Sequence, residues 1–264
     1  MSFPRSSEVA SLTVLEQTPS TNDDLRAIAA TSPEFTAVVT LDQTQGRGRM
    51  GRVWSAPAGQ CLAVSVLLRP TAPSGQPLTL DAFGWLPLLA GLAMTRTVAN
   101  LVPDHRVSLK WPNDVLVDGK KVCGLLAELL PTADGVVMGS GVNLSIPADN
   151  LPTPVSTSLG LEGATLIGDE LADAVLAGYL TELRALYSDY LSHNGDARRS
   201  GLLAAVSAEC SSIGQQVRVE LPGGGTLTGV ATGLDSAGRL LVKNSADATV
   251  QAVAAGDVTH LRYE

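Results

Sequence analysis

The sequence predicts an α+β fold: a mixed, largely antiparallel sheet with packed helices over residues 1–212, followed by a small β-barrel over residues 213–264. Three observations carry this. Strand-length runs of aliphatic and β-branched residues are joined by hairpin-turn dipeptides, Asp118-Gly119 and Asp134-Gly135. Two longer stretches, Leu80 to Leu101 and Asp169 to Leu191, carry apolar residues at helical spacing. From Gly214 onward the chain becomes glycine-rich and its β runs shorten, as in a small antiparallel barrel.

Taken in order, Val9 to Glu16 alternates as a short strand. Ser20-Thr21-Asn22-Asp23-Asp24 then precedes Leu25, Ile28 and Ala29, a polar cap followed by acidic residues that opens a helix. Thr36–Leu41 and Cys61–Leu68 are strands, and the chain between them is a long excursion of the kind that usually carries function. In the helix Leu80–Leu101, Pro87 must fall in the first turn or kink it. Four strands follow, at Val107–Trp111, Asp114–Val117, Val122–Leu130 and Val136–Leu144. The amphipathic helix Asp169–Leu191 and a second helix from Ala197 to Cys210 complete the first part. The barrel strands are Val217–Leu221, Thr226–Leu234, Leu240–Val242, Thr249–Val253 and His260–Tyr263, with a turn at Gly223-Gly224-Gly225.

Composition narrows the function. The chain has 264 residues, 45% hydrophobic and 17% charged, enough to bury a core. A net charge of −8 argues against general nucleic-acid binding, which needs clustered Lys and Arg. No apolar run is expected to reach transmembrane length, and no signal core opens the chain, so the cytoplasm is the expected location. Cys61, Cys123 and Cys210 have no metal-ligand spacing and are expected to be small buried residues. Lysine occurs only at 110, 120, 121 and 243, so three of the four lie close together.

Two strings carry chemistry. The first is Gly46-Arg47-Gly48-Arg49-Met50-Gly51-Arg52 in the long excursion. Glycines permit close backbone approach, and guanidinium forks suit carboxylate and phosphate. The string reads as a lid over an anion or, more plainly, as an exposed basic turn. It fits a dinucleotide fingerprint literally, but no helix opens from it and no acidic residue follows at ribose distance. A P-loop motif is absent. The second string, Lys110-Trp111-Pro112-Asn113-Asp114, sets cation, amide and carboxylate at a proline bend. The return strand of the next hairpin should carry Lys121 back beside Asp114, whereas Lys120 reads as a solvated tip.

Together, Ser20-Thr21-Asn22, Gln43 ahead of the Gly-Arg string, Lys-Trp-Pro-Asn-Asp, Lys121-Val-Cys-Gly124 and Gly139-Ser140-Gly141-Val142-Asn143-Leu144 resemble the biotin protein ligases, in order and spacing. The resemblance covers essentially the whole chain. It implies the catalytic fold shared by biotin and lipoate ligases and class II aminoacyl-tRNA synthetases, with a Src-homology-type barrel behind it. About eighteen residues precede Ser20, too few for the DNA-binding domain of bifunctional members, so the monofunctional form without DNA binding is expected. Met50 stands where another Arg is common.

The resemblance implies a two-step reaction. Biotin and ATP give biotinyl-5′-AMP and pyrophosphate, with Mg²⁺ on the nucleotide. The lysine of a biotin carboxyl carrier domain then displaces AMP. It assigns Ser20, Thr21, Asn22, Gln43, Gly46, Arg47, Gly48, Arg49, Lys121 and Gly124 to biotin, and Arg52, Trp54, Asn113 and Asn143 to the nucleotide. Lys121, Arg49, Lys110 and Asp114 serve catalysis. Asn113 and Asp114 are left between metal, phosphate and incoming lysine. Trp54 and Trp111 are left between site wall and core. Residues 44–59 are expected to be disordered until the adenylate binds. The protein is expected to be a monomer or weak homodimer, away from membranes. The alternatives are a lipoate–protein ligase, whose apolar ring would not need the polar set at 20–22 and 43, and a non-catalytic biotin-binding regulator.

Overall fold

The structure is a computed structural model and describes residues 1–221 and 224–261. In chain order the elements are α1 Pro4–Val9, β1 Leu12–Val14, α2 Thr21–Ile28, β2 Ala37–Thr40, β3 Gly46–Arg47, β4 Val53–Trp54, β5 Cys61–Leu68, α3 Leu80–Phe83 and α4 Leu86–Leu101. Then come β6 Val107–Lys110, β7 Asp114–Val117, β8 Lys120–Leu129, β9 Val136–Asn143, α5 Gly168–Ser192 and α6 Leu202–Glu209. The last strands are β10 Gln216–Glu220, β11 Thr226–Leu234, β12 Leu240–Asn244, β13 Val250–Val253 and β14 Asp257–His260.

The main sheet has seven strands in the order β1-β2-β5-β9-β8-β7-β6. β1 and β2 pair in parallel and the remaining neighbours are antiparallel, so the sheet is mixed and largely antiparallel. Alternation along β9 separates its two faces. Val136, Met138 and Val142 join the large core, where α4 and α5 cover the sheet with Leu89, Leu92, Met94, Leu176, Tyr179 and Leu183. Each such side chain contributes about 1.5–3 kcal/mol on burial. On the opposite face, Val137 joins a small second cluster in which α2 lays Leu25 and Ala29 over Val38 and Leu67. That helix covers only one end of the face. The rest, floored by Gly124, Gly139 and Gly141, belongs to the site.

Several elements depart from the sequence expectation. The first strand is shorter than Val9–Glu16, because Pro4 sits in the first turn of a helix that runs to Val9. Leu80–Leu101 breaks at Gly84-Trp85 into two helices, and Pro87 falls in the first turn of the second. Against the expectation that no apolar run reaches transmembrane length, this stretch has the length and composition to cross a membrane, yet 67% of its most apolar 18 residues are buried inside the fold. The helix expected from Ala197 starts at Leu202, after Gly201 at φ 74°. The excursion over 44–59 carries a β3–β4 hairpin around a short helical turn at Arg49–Gly51.

The C-terminal strands form one antiparallel sheet in the order β13-β12-β11-β10-β14. Among the described residues β13 and β14 are edges and do not pair, so barrel closure is not seen. The chain from Val253 to Asp257 nevertheless joins those edges in four Cα steps, at most about 14 Å. Five flat strands would span about 19 Å, so the sheet must be strongly curled. The expected last strand was His260–Tyr263; the observed one, Asp257–His260, comes before it and shares only His260, and Arg262 to Glu264 lie outside the described residues, as does Gly223 of the expected glycine turn.

Candidate active site

A cavity of about 650 Å³ lies on the open face of the main sheet. Its floor is built from β8 and β9, where Gly124 and Gly141 stand opposite each other. The glycines are required by what lies on them. A Cβ at Gly139 would sit 2.3 Å from Asn22 Oδ1, and one at Gly141 would sit 2.5 Å from Trp54 Cε2. The Trp54 indole therefore rests on bare backbone, with Lys121 Nζ 5.6 Å from its ring centre.

At one end stands the start of α2. Ser20 is its N-cap, its hydroxyl accepting from Asp23 N–H at 3.4 Å, so the capping reading holds for this residue while it also lines the cavity. Gln43 Oε1 accepts from Thr21 N–H at 3.0 Å. Asn22 Oδ1 accepts from Ser65 at 2.6 Å, and its Nδ2 donates to Glu128 at 2.5 Å. At the other end, Lys121 Nζ lies 2.6 Å from Asp114 Oδ1, the pairing expected of an antiparallel return. Asn113 Nδ2 donates to Leu125 O at 2.6 Å, which leaves its Oδ1 to accept from Arg49 at 3.2 Å. Asn113 thus holds Arg49.

The Gly-Arg hairpin forms the roof. Mutual repulsion among its arginines is offset because two of them have acids of their own. Arg47 reaches Asp23 and Glu128, and Arg52 reaches Asp257 on β14. Arg47 accordingly holds the Asp23 carboxyl below its usual range, and Asp257 raises Arg52. Among the described residues Arg49 has no carboxylate in contact, and burial lowers its pKa. Burial likewise lowers that of Lys110, against the opposing pull of Asp114. Among the described residues the wall carries Arg47, Arg49, Arg52, Lys110 and Lys121 but only two carboxylates, Asp114 and Asp257. In a chain of net charge −8 this is a local positive well.

Of the expected site residues only Gly46 is off the wall. It sits behind, where a Cβ would meet Gln43 Nε2 and Trp54 O at 2.5 Å. Asn143 lines the wall, donates Nδ2 to Thr157 O at 2.8 Å, and leaves Oδ1 buried with no partner among the described residues. Trp111 is core: it is 2% exposed and its indole N–H donates to Gly238 O at 3.1 Å. Two wall segments were not found from the sequence. One is Pro152 to Ser156, which runs beside Lys121 and takes Lys121 N–H on Val155 O at 2.8 Å. The other is Asp257 to His260, brought in by the C-terminal sheet. The long connection from Leu144 to Ile167 was the available signal for the first. Nothing local marked the second.

Fold and cavity define an α+β protein with a cationic pocket roofed by a hairpin, to which a C-terminal β module contributes. Residues 14–143 match the biotin/lipoate A/B protein ligase family, and residues 212–261 match the biotin protein ligase C-terminal domain. The chain is 38% identical over 255 residues to the biotin–[acetyl-CoA-carboxylase] ligase of Mycobacterium tuberculosis, covering 95% of this chain and 89% of that one. It superposes on the Aquifex aeolicus biotin protein ligase in complex with biotin and ATP with a TM-score of 0.75, at 26% identity, over 96% of this chain and 99% of that one. The Leishmania major biotin protein ligase in complex with biotinyl-5-AMP matches with a TM-score of 0.55 at 26% identity, over 93% and 99%. The chain belongs to the biotin protein ligase family.

Proposed function

We propose that this protein activates biotin with ATP to biotinyl-5′-AMP and transfers the biotinyl group to a lysine of a biotin carboxyl carrier domain. The observation that carries the reading is one cavity with a polar, hydrogen-bonding end at Ser20, Thr21 and Gln43 and a cationic end at Arg49, Lys110 and Lys121. The ureido ring of biotin has two N–H donors and a carbonyl, and suits the first end. A carboxylate brought up to a phosphate needs the second.

In the first step a biotin carboxylate oxygen bonds to the α-phosphorus of ATP and the bond to the bridging oxygen of pyrophosphate breaks. Lys121 and Arg49 neutralise the two anions as they meet, and Lys110 and Arg52 lie along the phosphates. Asp114 holds Lys121 in place. Asn143 Oδ1 is a buried acceptor suited to the amine of adenine. In the second step the carrier amine attacks the acyl carbon and AMP leaves with the bonding pair. Closure of the hairpin keeps water from the mixed anhydride. Mg²⁺ would supply charge neutralisation on the nucleotide. The two wall carboxylates already face Lys121 and Arg52, a poor set for a fixed metal, so the ion would come bound to the triphosphate. The three cysteines are unpaired and buried, in keeping with a cytoplasmic enzyme.

The lipoate alternative is disfavoured because a dithiolane ring leaves the polar end unpaired. Calorimetric titration separates the two: tight binding of biotin with none of lipoate is expected, and the reverse result overturns the substrate assignment.

A further inference from the structure

Behind the polar end of the cavity lies a chain of side chains that the reaction itself does not use. Glu128 on β8 stands off the cavity wall. Its carboxylate faces Arg26 at 2.8 Å and Arg47 at 3.1 Å, and it accepts from Asn22. Ser65 on β5 is fully buried between Asn22 and Thr21.

We propose that Glu128 sets the hydrogen-bond polarity of the biotin end, acting through Asn22 and Ser65 to make the Thr21 hydroxyl an acceptor toward the ligand; this rests on the biotin reading above. The reasoning is a proton count. A carboxylate in ion pairs only accepts, and Glu128 is paired with both Arg26 and Arg47. Asn22 Nδ2 lies 2.5 Å from Glu128 Oε2 and 3.4 Å from Leu126 O, so two acceptors fix the amide with its nitrogen on that side. Its oxygen must then face Ser65 Oγ, 2.6 Å away. An amide oxygen has no proton, so Ser65 spends its single hydroxyl proton there. Ser65 Oγ also lies within donating reach of Thr21 Oγ1, at 2.8 Å; one hydroxyl proton cannot serve both oxygens, and since the Asn22 oxygen can only accept, the proton between the two hydroxyls is assigned to Thr21. Thr21 has then used its proton as well. Gln43 Oε1, 3.2 Å from the Thr21 hydroxyl, is served instead by the Thr21 backbone N–H at 3.0 Å. Toward the cavity Thr21 presents lone pairs alone, the complement of a ureido N–H.

Glu128 is thus a positioning residue, and neutralising it removes the direction of the chain. In Glu128→Gln the new side chain both donates and accepts, so Asn22 is free to turn over. Ser65→Ala cuts the same chain while leaving every ion pair in place.

The test measures dissociation constants by calorimetry for biotin, for ATP, and for the two lactam analogues of biotin in which a methylene replaces one ring N–H. Both variants are expected to bind biotin about tenfold or more weakly and to hold ATP within about twofold. In the wild type one lactam should bind at least about tenfold more weakly than biotin, and that penalty should fall below about threefold in both variants. A general loosening of the site would weaken all ligands alike and leave the penalty unchanged, and that result overturns the proposal. If Glu128→Gln does not fold, Ser65→Ala alone decides. A wild-type chain that binds no biotin overturns the functional reading itself, a failure seen before any variant is compared.

Discussion

Lys120 and Lys121 are adjacent on one strand, and their surroundings divide their roles. Lys121 Nζ touches Asp114 and overhangs Trp54 inside the cavity, whereas Lys120 is an exposed side chain 3.9 Å from Glu162. An oriented cation in a dry site is worth about 2–4 kcal/mol to a developing charge, so Lys121→Ala should slow adenylate formation roughly 30- to 1000-fold. Lys120→Ala should be nearly silent, and a change under about threefold in the Lys121 variant would remove that residue from the chemistry. Lys110 carries a pH prediction. Burial lowers its pKa, so its charge is lost at a lower pH than that of an ordinary lysine. The adenylation rate should therefore fall on an alkaline limb below the normal lysine range, and Lys110→Arg should move that limb upward. An unmoved limb would assign it to another group. Residue identities at the site were legible where a string was unusual, as with Lys-Trp-Pro-Asn-Asp. Glu128 and Ser65 were not legible, because a single acid in a β run and a single serine in another look like ordinary strand residues until the fold brings them together.

At the scale of the element, the Gly-Arg hairpin was legible in its residue types but not in its partners. Its glycines allow close approach, and its arginines were expected to repel one another where no anion is bound. The missing information was long-range: Asp23, Glu128 and Asp257 come from a helix, a distant strand and the C-terminal sheet. The hairpin is held down where Trp54 lies on Gly141. Gly141→Ala should lift it, because the added methyl overlaps the indole. Trypsin should then cut after Arg47, Arg49 or Arg52 faster than in the wild type, and biotin with ATP should protect less. Equal cleavage rates would mean that Trp54 does not anchor the lid. Arg49→Gly should let adenylate escape and label exposed lysines at random, measured as biotin on an unrelated bystander protein. Loss of activity without such labelling would leave Arg49 a contact rather than a clamp.

For the whole molecule, the two sheets are tied by tryptophans. Trp85 donates to Ser236 O at 2.8 Å and Trp111 to Gly238 O at 3.1 Å, so the turn before β12 is pinned to the N-cap of α4 and to the end of β6. Trp111→Phe keeps most of the packing but leaves a buried carbonyl unpaired, at a cost of about 1–3 kcal/mol. Urea unfolding should show that loss, and the KM for ATP should rise as the module carrying Asp257 loosens. An unchanged KM would make the C-terminal sheet a passive neighbour. The α+β class and most strands were legible because hairpin turns and apolar alternation are local signals. The split of the long helix at Gly84 and the curl of the C-terminal sheet were not, since both follow from packing between distant segments. The central claim is that one pocket joins a biotin carboxylate to a nucleotide phosphate without help from the carrier protein. The direct measurement is pyrophosphate release on mixing the purified chain with biotin, ATP and Mg²⁺ in the absence of any carrier domain. A single-turnover burst that requires biotin is predicted; no pyrophosphate from a preparation that binds both ligands would contradict it.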